Sequence, residues 1–447
     1  MNTRSVERPA LEMLDLLEEL AAFSAPGPGV TRLLYTPEWS FAQRFLQERM
    51  AQAGLAVRTD RVGNVYGRLS GSRQNDKVIL TGSHIDTVRS GGKYDGAYGV
   101  AAALTALKVL RERYGQPLRS LEVVSFCEEE GSRFPLTFWG SGNVTGLYDG
   151  SEAEACADAE GITIQAAMTA CGLGGRRAAF SDKGAQAAEA VRAVQAVESM
   201  DVMEAMESAE GAALREDIGA YVELHIEQGI VLEQSVRQIG IVQAIAGQRR
   251  LSVKVSGTAN HAGTTPMALR RDALAGAAEM LLELERSATL AGDPLVATSG
   301  RLETFPGTPN VIPGEVRFTL DIRHSDAGTL ASFCAGVSEA FNRIADQRRL
   351  GLEMVTTLSS APAPMDPDMG GILEQICLKQ GRTYRTMISG AGHDAQLFAP
   401  RCPTAMIFVP SRTGISHSPE EYSSPEELAA GLEVLTSMLY ELAYKES

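Results

Sequence analysis

The chain has 447 residues, 44% of them hydrophobic and 22% charged, with a net charge of −15 and an isoelectric point near 5.0. That is enough chain for two or three domains of a soluble globular protein. The acidic balance argues against nucleic acid or an anionic membrane as the main partner, although a local arginine can still hold a small anion.

The first twenty residues, MNTRSVERPALEMLDLLEEL, are charged and amphipathic. They lack the apolar core of a signal peptide, and no run of about 18 apolar residues follows anywhere, so the protein is read as cytoplasmic. Apolar residues at helical spacing predict helices over 11–23 and 37–53, the second stopped by Gly54. LAVRTDRVGNVYGRLSG reads as two strands about a turn at Gly63-Asn64. KVILT is a short buried strand running into His84. An alanine-rich helix follows over 100–114, and LEVVSF is a second buried strand running into Glu128-Glu129-Glu130. Strands alternating with helices indicate an α/β domain with a mixed, largely parallel sheet. Ligands of such sheets bind beyond the carboxyl ends of the strands, where both motifs lie. Over 177–216 the composition turns to Ala, Glu and Met, which reads as a helical surface excursion or a partly mobile insert. Beyond it, strands are expected over 248–255, 300–303, 315–323 and 352–358, with helices over 271–288 and 329–348. This is a smaller α+β module that ends at Ala361-Pro362-Ala363-Pro364. α/β character then resumes with a helix over 372–380, a strand over 404–408 and a last helix over 425–444. The expected division is 1–246 with 362–447 as one discontinuous domain and 247–361 inserted in it. The six cysteines are scattered without a CxxC pair and read as small buried side chains, not a disulfide framework.

Only six histidines occur, and five lie in polar motifs: His84 in GSHIDT, His225 in ELHIEQG, His261 in ANHAGTTPM, His393 in GAGHDAQ and His417 in ISHSP. Neutral imidazole beside Asp, Glu and Gly is the usual setting of metal ligands and catalytic groups. Asp86, two residues after His84, can take its second ring N–H and fix the tautomer. Asp95 follows a glycine-rich loop, and its two oxygens can bridge two ions. In CEEEGSRF, three adjacent carboxylates repel one another. A cation held by one relieves that repulsion and leaves a neighbour free as general base. Each motif alone also fits a turn, a cap or a solvated charge run. Together they provide three histidines and two or three carboxylates, enough for two divalent ions with open positions for water.

The set HIDT, DG, EEEGSRF, ELHIEQG, HAGTTPM and GAGHDA resembles the two-metal amidohydrolases that include the N-carbamoyl-L-amino acid hydrolases, β-ureidopropionases and allantoate amidohydrolases, which group with the aminoacylase/carboxypeptidase-like metallopeptidases. The resemblance runs from TRLLYTPEW to ISHSPEEY. TRLLYTPEW, FPLTFWGSGN, GQRR and SGAGHDAQLFAPR look most like the allantoate-hydrolysing branch. It implies a metallopeptidase-like catalytic domain with a smaller dimerisation or lid domain inserted, and hence a homodimer. It further implies one ion on His84, Asp95 and His225 and another on Asp95, Glu130 and His393, with Asp95 bridging. Glu129 is then the general base, Asp86 its catalytic neighbour and His261 the oxyanion donor. Gln228, His261, Asn310, Arg323 and Gly392 match substrate-binding positions, and Arg250 is a candidate contact to a second ureido group. Arg323 grips a substrate carboxylate as a fork. The implied reaction is hydrolysis of a ureido C–N bond in a small anionic substrate, allantoate before an N-carbamoyl amino acid. His225 in place of a carboxylate favours this over a dipeptidase, and the complete ligand set argues against a non-catalytic binding protein on the same scaffold. The N/O donor set admits zinc, manganese, cobalt or nickel. No role is assigned to Glu128, His324 or His417.

Overall fold

A computed structural model describes residues 4–73, 76–173 and 215–446. All but the end of the Ala/Glu/Met-rich stretch expected over 177–216 lies outside the described residues. In chain order the strands are β1 (Ala56–Thr59), β2 (Val65–Leu69), β3 (Val78–His84), β4 (Leu121–Phe126), β5 (Ile218–Ile226), β6 (Ile239–Ile245), β7 (Gly247–Ser256), β8 (Asn260–His261), β9 (Val296–Thr298), β10 (Leu302–Phe305), β11 (Val311–Ile312), β12 (Glu315–His324), β13 (Gly351–Ser360), β14 (Ala363–Pro364), β15 (Tyr384–Ser389) and β16 (Thr404–Val409). The chain divides into two compact units. The larger holds Met1–Val242, Met365–Thr386 and His393–Ser447, and the smaller holds Gln243–Pro364 and Met387–Gly392.

In the larger unit the strands run in the order β1-β2-β4-β3-β5-β16-β6. The central four, β4, β3, β5 and β16, are parallel. β2 and β6 flank them antiparallel, and β1 pairs antiparallel with β2 at the outer edge. β3 and β4 are buried along their whole length, as strands of a sheet covered on both faces must be. The helix Ala97–Tyr114 buries Ala97, Ala101, Ala102, Ala103 and Ala106, small side chains that let its backbone approach the sheet closely. It packs against β3 and against the helix Pro425–Tyr444, which starts in a capping box between Ser424 and Glu427. The β1–β2 turn is held by Asp60 Oδ1, which accepts from the backbone N–H of Val62, Gly63 and Asn64.

The smaller unit is an antiparallel sheet in the order β10-β12-β7-β13, with β9 also on β12. Val316, Phe318, Leu320 and Ile322 alternate along β12 and are buried. They meet Met280, Leu284, Leu330 and Phe341 in one core. The covering helices Ala273–Ala291 and Ala327–Arg348 begin at Asp272 and Asp326, whose side chains cap them.

The buried strands β3, β4 and β16 and the alternating β12 match the sequence pattern. β6, β9 and β15 were not anticipated. β6 reads IGIVQAI, an apolar run too short to tell a strand from a buried helical turn by periodicity. The strand expected over 300–303 lies two residues later, as β10, because Leu302–Phe305 pairs with β12.

Candidate metal centre

Because β4, β3, β5 and β16 are parallel neighbours, their carboxyl ends share one edge of the larger sheet. His84 is the last residue of β3. Glu128-Glu129-Glu130 follow β4, His225 is the penultimate residue of β5, and the loop after β16 carries His417. Four segments distant in sequence therefore converge by strand order alone.

His84 Nδ1 lies 3.1 Å from Asp86 Oδ1 and 3.1 Å from the Asp86 carbonyl. His225 Nδ1 lies 2.9 Å from the Ile226 carbonyl. Each Nδ1 thus faces acceptors, which turns Nε2 the other way, and His225 Nε2 there accepts from the Gly96 N–H at 3.1 Å. Both point at Asp95 Oδ1, His225 Nε2 at 3.2 Å and His84 Nε2 at 3.9 Å. Burial opposes protonation of His84, but its hydrogen bond to Asp86 and the surrounding carboxylates hold its pKa well above the imidazole norm. Burial likewise opposes protonation of His225, and Asp95 outweighs it. Burial would raise Asp95, yet the hydrogen bonds with His225 and His417 hold it well below the usual carboxylate range. Gly96 makes this closeness possible: its φ is +63°, and a Cβ there would stand 2.5 Å from the His84 ring.

The three glutamates separate in role. Glu128 is buried, and its carboxylate accepts from the N–H of Trp139 at 3.2 Å and from that of Gly131. It caps its own loop. The backbone N–H of Glu129 and of Glu130 donate to Asp86 Oδ1 at 3.0 Å and Oδ2 at 3.2 Å. Asp86 therefore orients both His84 and the acidic pair. Burial, then neighbouring carboxylates, push Glu129 well above the usual carboxylate range, against the pull of His84.

His417 brings a contact that the sequence reading did not anticipate. Its Nε2 lies 3.2 Å from Asp95 Oδ2 and 3.3 Å from Glu130 Oε1. Those two hydrogen bonds push its pKa up to about 10. Its backbone is left-handed, φ +54°, as is that of Gln228 at +55°, a strained conformation typical of functional sites. Gln228 Nε2 donates to Asp95 Oδ2 at 3.0 Å. His393, the residue expected beside Asp95 and Glu130, instead packs its ring 4.6 Å from that of His225 and groups with Glu223 and His225. Burial and the nearby His225 hold its pKa well below the norm. The signal for His417 was present, since ISHSPEEY has the same polar, carboxylate-rich character as the other motifs.

The donor set fits divalent cations. His84, Asp95 and His225 offer atoms all within 4.8 Å of one another, as do Asp95, Glu130 and His417. Zinc–nitrogen and zinc–oxygen bonds of about 2.1 Å put tetrahedral donors about 3.4 Å apart, close to the separations found. Two imidazole lone pairs and a carboxylate oxygen repel unless a proton or a cation lies among them.

The smaller unit holds the remaining expected residues. His261 is on β8 and pairs with Val311 of β11, and Ala262 N–H donates to the Asn310 carbonyl at 2.9 Å, so His261 and Asn310 are neighbours. His261 Nδ1 accepts from the N–H of Gly263 and Thr264 at 3.0 and 3.2 Å, which puts the proton of the neutral ring on Nε2. Arg323 donates from Nε and Nη2 to Asp321 at 2.8 and 3.1 Å and from Nη1 to the Gly390 carbonyl at 2.6 Å. Arg250 Nε joins the same carboxylate at 3.0 Å. Arg250, Asp321, Arg323, Thr298 and Gly390 line a groove of about 600 Å³. Gly392 closes the short segment that contains Gly390. His324 is half-buried at the end of β12, and its Nδ1 accepts from Asp326 N–H at 2.8 Å.

The model of Peptidase family M20/M25/M40 matches residues 80–441, a span that takes in both units. The chain is 43% identical to the allantoate amidohydrolase of Escherichia coli (strain K12), covering 98% of this chain and 99% of that one. It is 37% identical to an N-carbamoyl-L-amino-acid amidohydrolase of Paenarthrobacter aurescens, over 95% of each. Among solved structures, an amidase of the hydantoinase/carbamoylase family from Burkholderia multivorans superposes with a TM-score of 0.85 at 32% identity, over 98% of each chain.

Proposed function

We propose, since the chain belongs to Peptidase family M20/M25/M40, that it is a metal-dependent amidohydrolase that cleaves a ureido C–N bond, with allantoate as substrate and ureidoglycine, carbon dioxide and ammonia as products. The observation that carries this reading is Asp95, whose two carboxylate oxygens face different histidines at the edge where the parallel strands end. His84, Asp95 and His225 hold one divalent ion in this proposal. Asp95, Glu130 and His417 hold the other, His417 standing where His393 had been expected. Manganese and zinc suit these N/O donors, with cobalt or nickel as alternatives. Bound there, the ions lower the pKa of water and polarise the ureido carbonyl.

This chain's own residues do the rest. Glu129 is kept unligated, and its raised pKa suits a general base that takes a proton from water and returns it to the leaving nitrogen. Asp86 holds His84 in the tautomer that leaves Nε2 free, and it fixes the backbone of Glu129 and Glu130. In the smaller unit, Arg323 takes the substrate carboxylate, His261 offers its Nε2 proton to the developing oxyanion, and Asn310, Arg250 and Gly392 complete substrate recognition. Gln228 serves substrate through its contact with Asp95. The smaller unit is proposed as the dimerisation or lid domain, a reading supported by its exposed Met267, Leu282 and Leu290. A single sedimentation run decides monomer against dimer.

A second reading, hydrolysis of N-carbamoyl-L-amino acids, is favoured by the Paenarthrobacter aurescens relative. One experiment separates them. The purified protein is supplied with manganese or zinc and given allantoate or N-carbamoyl amino acids side by side. Ammonia released from allantoate at the higher kcat/KM supports the first reading, and faster release of free amino acid replaces it with the second.

A further inference from the structure

Glu421 sits in the loop between β16 and the last helix and is 5% exposed. Its Oε1 accepts from the backbone N–H of Tyr94 at 3.0 Å and of Asp95 at 3.1 Å. Its Oε2 accepts from Ser416 Oγ at 2.7 Å. Ser416 Oγ in turn accepts from Gln228 Nε2 at 3.2 Å, and the same amide donates to Asp95 Oδ2. The hydrogen bonds close a ring that runs from Asp95 backbone to Glu421, Ser416, Gln228 and the Asp95 carboxylate. Two further contacts tie the same loops. The rings of Tyr94 and Tyr422 meet edge to face at 6.4 Å. Gly92 passes directly over the Glu421 carboxylate, where a Cβ would stand 2.0 Å from Oε1.

We propose that Glu421 is the positioning residue that ties the loop carrying Asp95 to the loop carrying His417 and thereby builds the second metal subsite. The inference rests on the two-metal reading above. His84 and His225 are oriented by Asp86 and the Ile226 carbonyl, both independent of Glu421. His417 is different. It lies on a loop, its backbone is left-handed, and its neighbour Ser416 is the point at which the ring grips that loop. Losing Glu421 frees the His417 loop and one end of Asp95, while the His84–His225 pair stays on its strands. The two subsites therefore depend on Glu421 unequally.

The test is calorimetric titration of Mn²⁺ into the full chain after chelator treatment. The unaltered protein takes up two ions. Glu421→Ala keeps the tighter ion and binds the second about 10–100-fold more weakly, the scale expected when a residue supporting a ligand is lost. Glu421→Gln restores most of the second affinity, because its amide oxygen accepts from both backbone N–H groups and its NH2 donates to Ser416. A role in stability alone lowers the melting temperature without separating the two ions. Unchanged affinities in Glu421→Ala, or equal weakening of both ions, overturn the proposal. A single ion in the unaltered protein overturns the two-metal reading, a different result from either. Should Glu421→Ala fail to fold, Ser416→Ala opens the ring at one edge. Selective weakening of the second ion supports the proposal there, and two unchanged affinities overturn it.

Discussion

His417 Nε2 lies 3.2 Å from Asp95 Oδ2, opposite the 3.2 Å approach of His225 to Oδ1. The Asp95 carboxylate is thus shared by three imidazoles, His84 and His225 at Oδ1 and His417 at Oδ2, and His417 also reaches Glu130 Oε1 at 3.3 Å. Replacing His417 with alanine removes a donor that Asp95 and Glu130 cannot supply. The expected result is a fall from two bound ions to about one per chain, with turnover lowered at least ~100-fold. His393→Asn, which alters a ring packed against His225, keeps two ions. Metal analysis of the two variants after dialysis distinguishes them, and loss of the second ion in His393→Asn alone returns that subsite to His393.

Glu129→Gln removes the proton acceptor but not a proposed ligand. Metal content stays at two per chain, while kcat falls about 10²–10⁴-fold, the usual contribution of general acid–base catalysis. Wild-type turnover in this variant would move the role of base elsewhere, with Glu130, Asp394 and Asp86 the neighbouring carboxylates. Parallel loss of metal and activity would make Glu129 a ligand.

Most of the site was legible because its residues sit where buried strands run into polar motifs. VILTGSH and LEVVSF declare both the strand and its end, and parallel order carries His84, Glu129, Glu130 and His225 to one edge. Sequence could not decide between His393 and His417. Both stand in polar loops after a strand, and only the packing of the ring against His225, or its approach to Asp95, separates them. The EEE run was equally ambiguous. The first carboxylate turned out to be a buried loop cap for Trp139 and Gly131, which needs the fold of the loop to be seen. The outer strands were harder still. β6 and β15 carry no alternation of their own, and they are strands because a neighbour offers its edge.

Asp86 does two things with one carboxylate, holding His84 Nδ1 and the N–H of Glu129 and Glu130. In Asp86→Asn only one oxygen remains as acceptor, and the NH2 opposes a backbone donor. The expected cost is about 10–100-fold in affinity for the ion on His84, with a further loss of kcat as Glu129 shifts. Manganese titration together with kcat at saturating metal checks both parts. A variant that recovers full kcat once metal is saturating confines Asp86 to the histidine and removes it from the placement of Glu129.

Arg323 is presented as a rigid fork. Asp321 fixes two of its nitrogens and the Gly390 carbonyl a third, in a groove that also holds Arg250. Such prior fixation lowers the entropy that a carboxylate ligand must overcome when it binds. Arg323→Ala is expected to raise KM for allantoate about 10–100-fold, the scale of a lost charge-assisted pair, with metal content unchanged. Arg323→Lys restores the charge but not the fork, so KM recovers only in part. Asp321→Asn tests the fixation itself: with the guanidinium intact but less firmly held, KM rises by less than in Arg323→Ala. Steady-state kinetics across the three variants checks the order, and equal KM values in all of them remove this arginine from substrate binding.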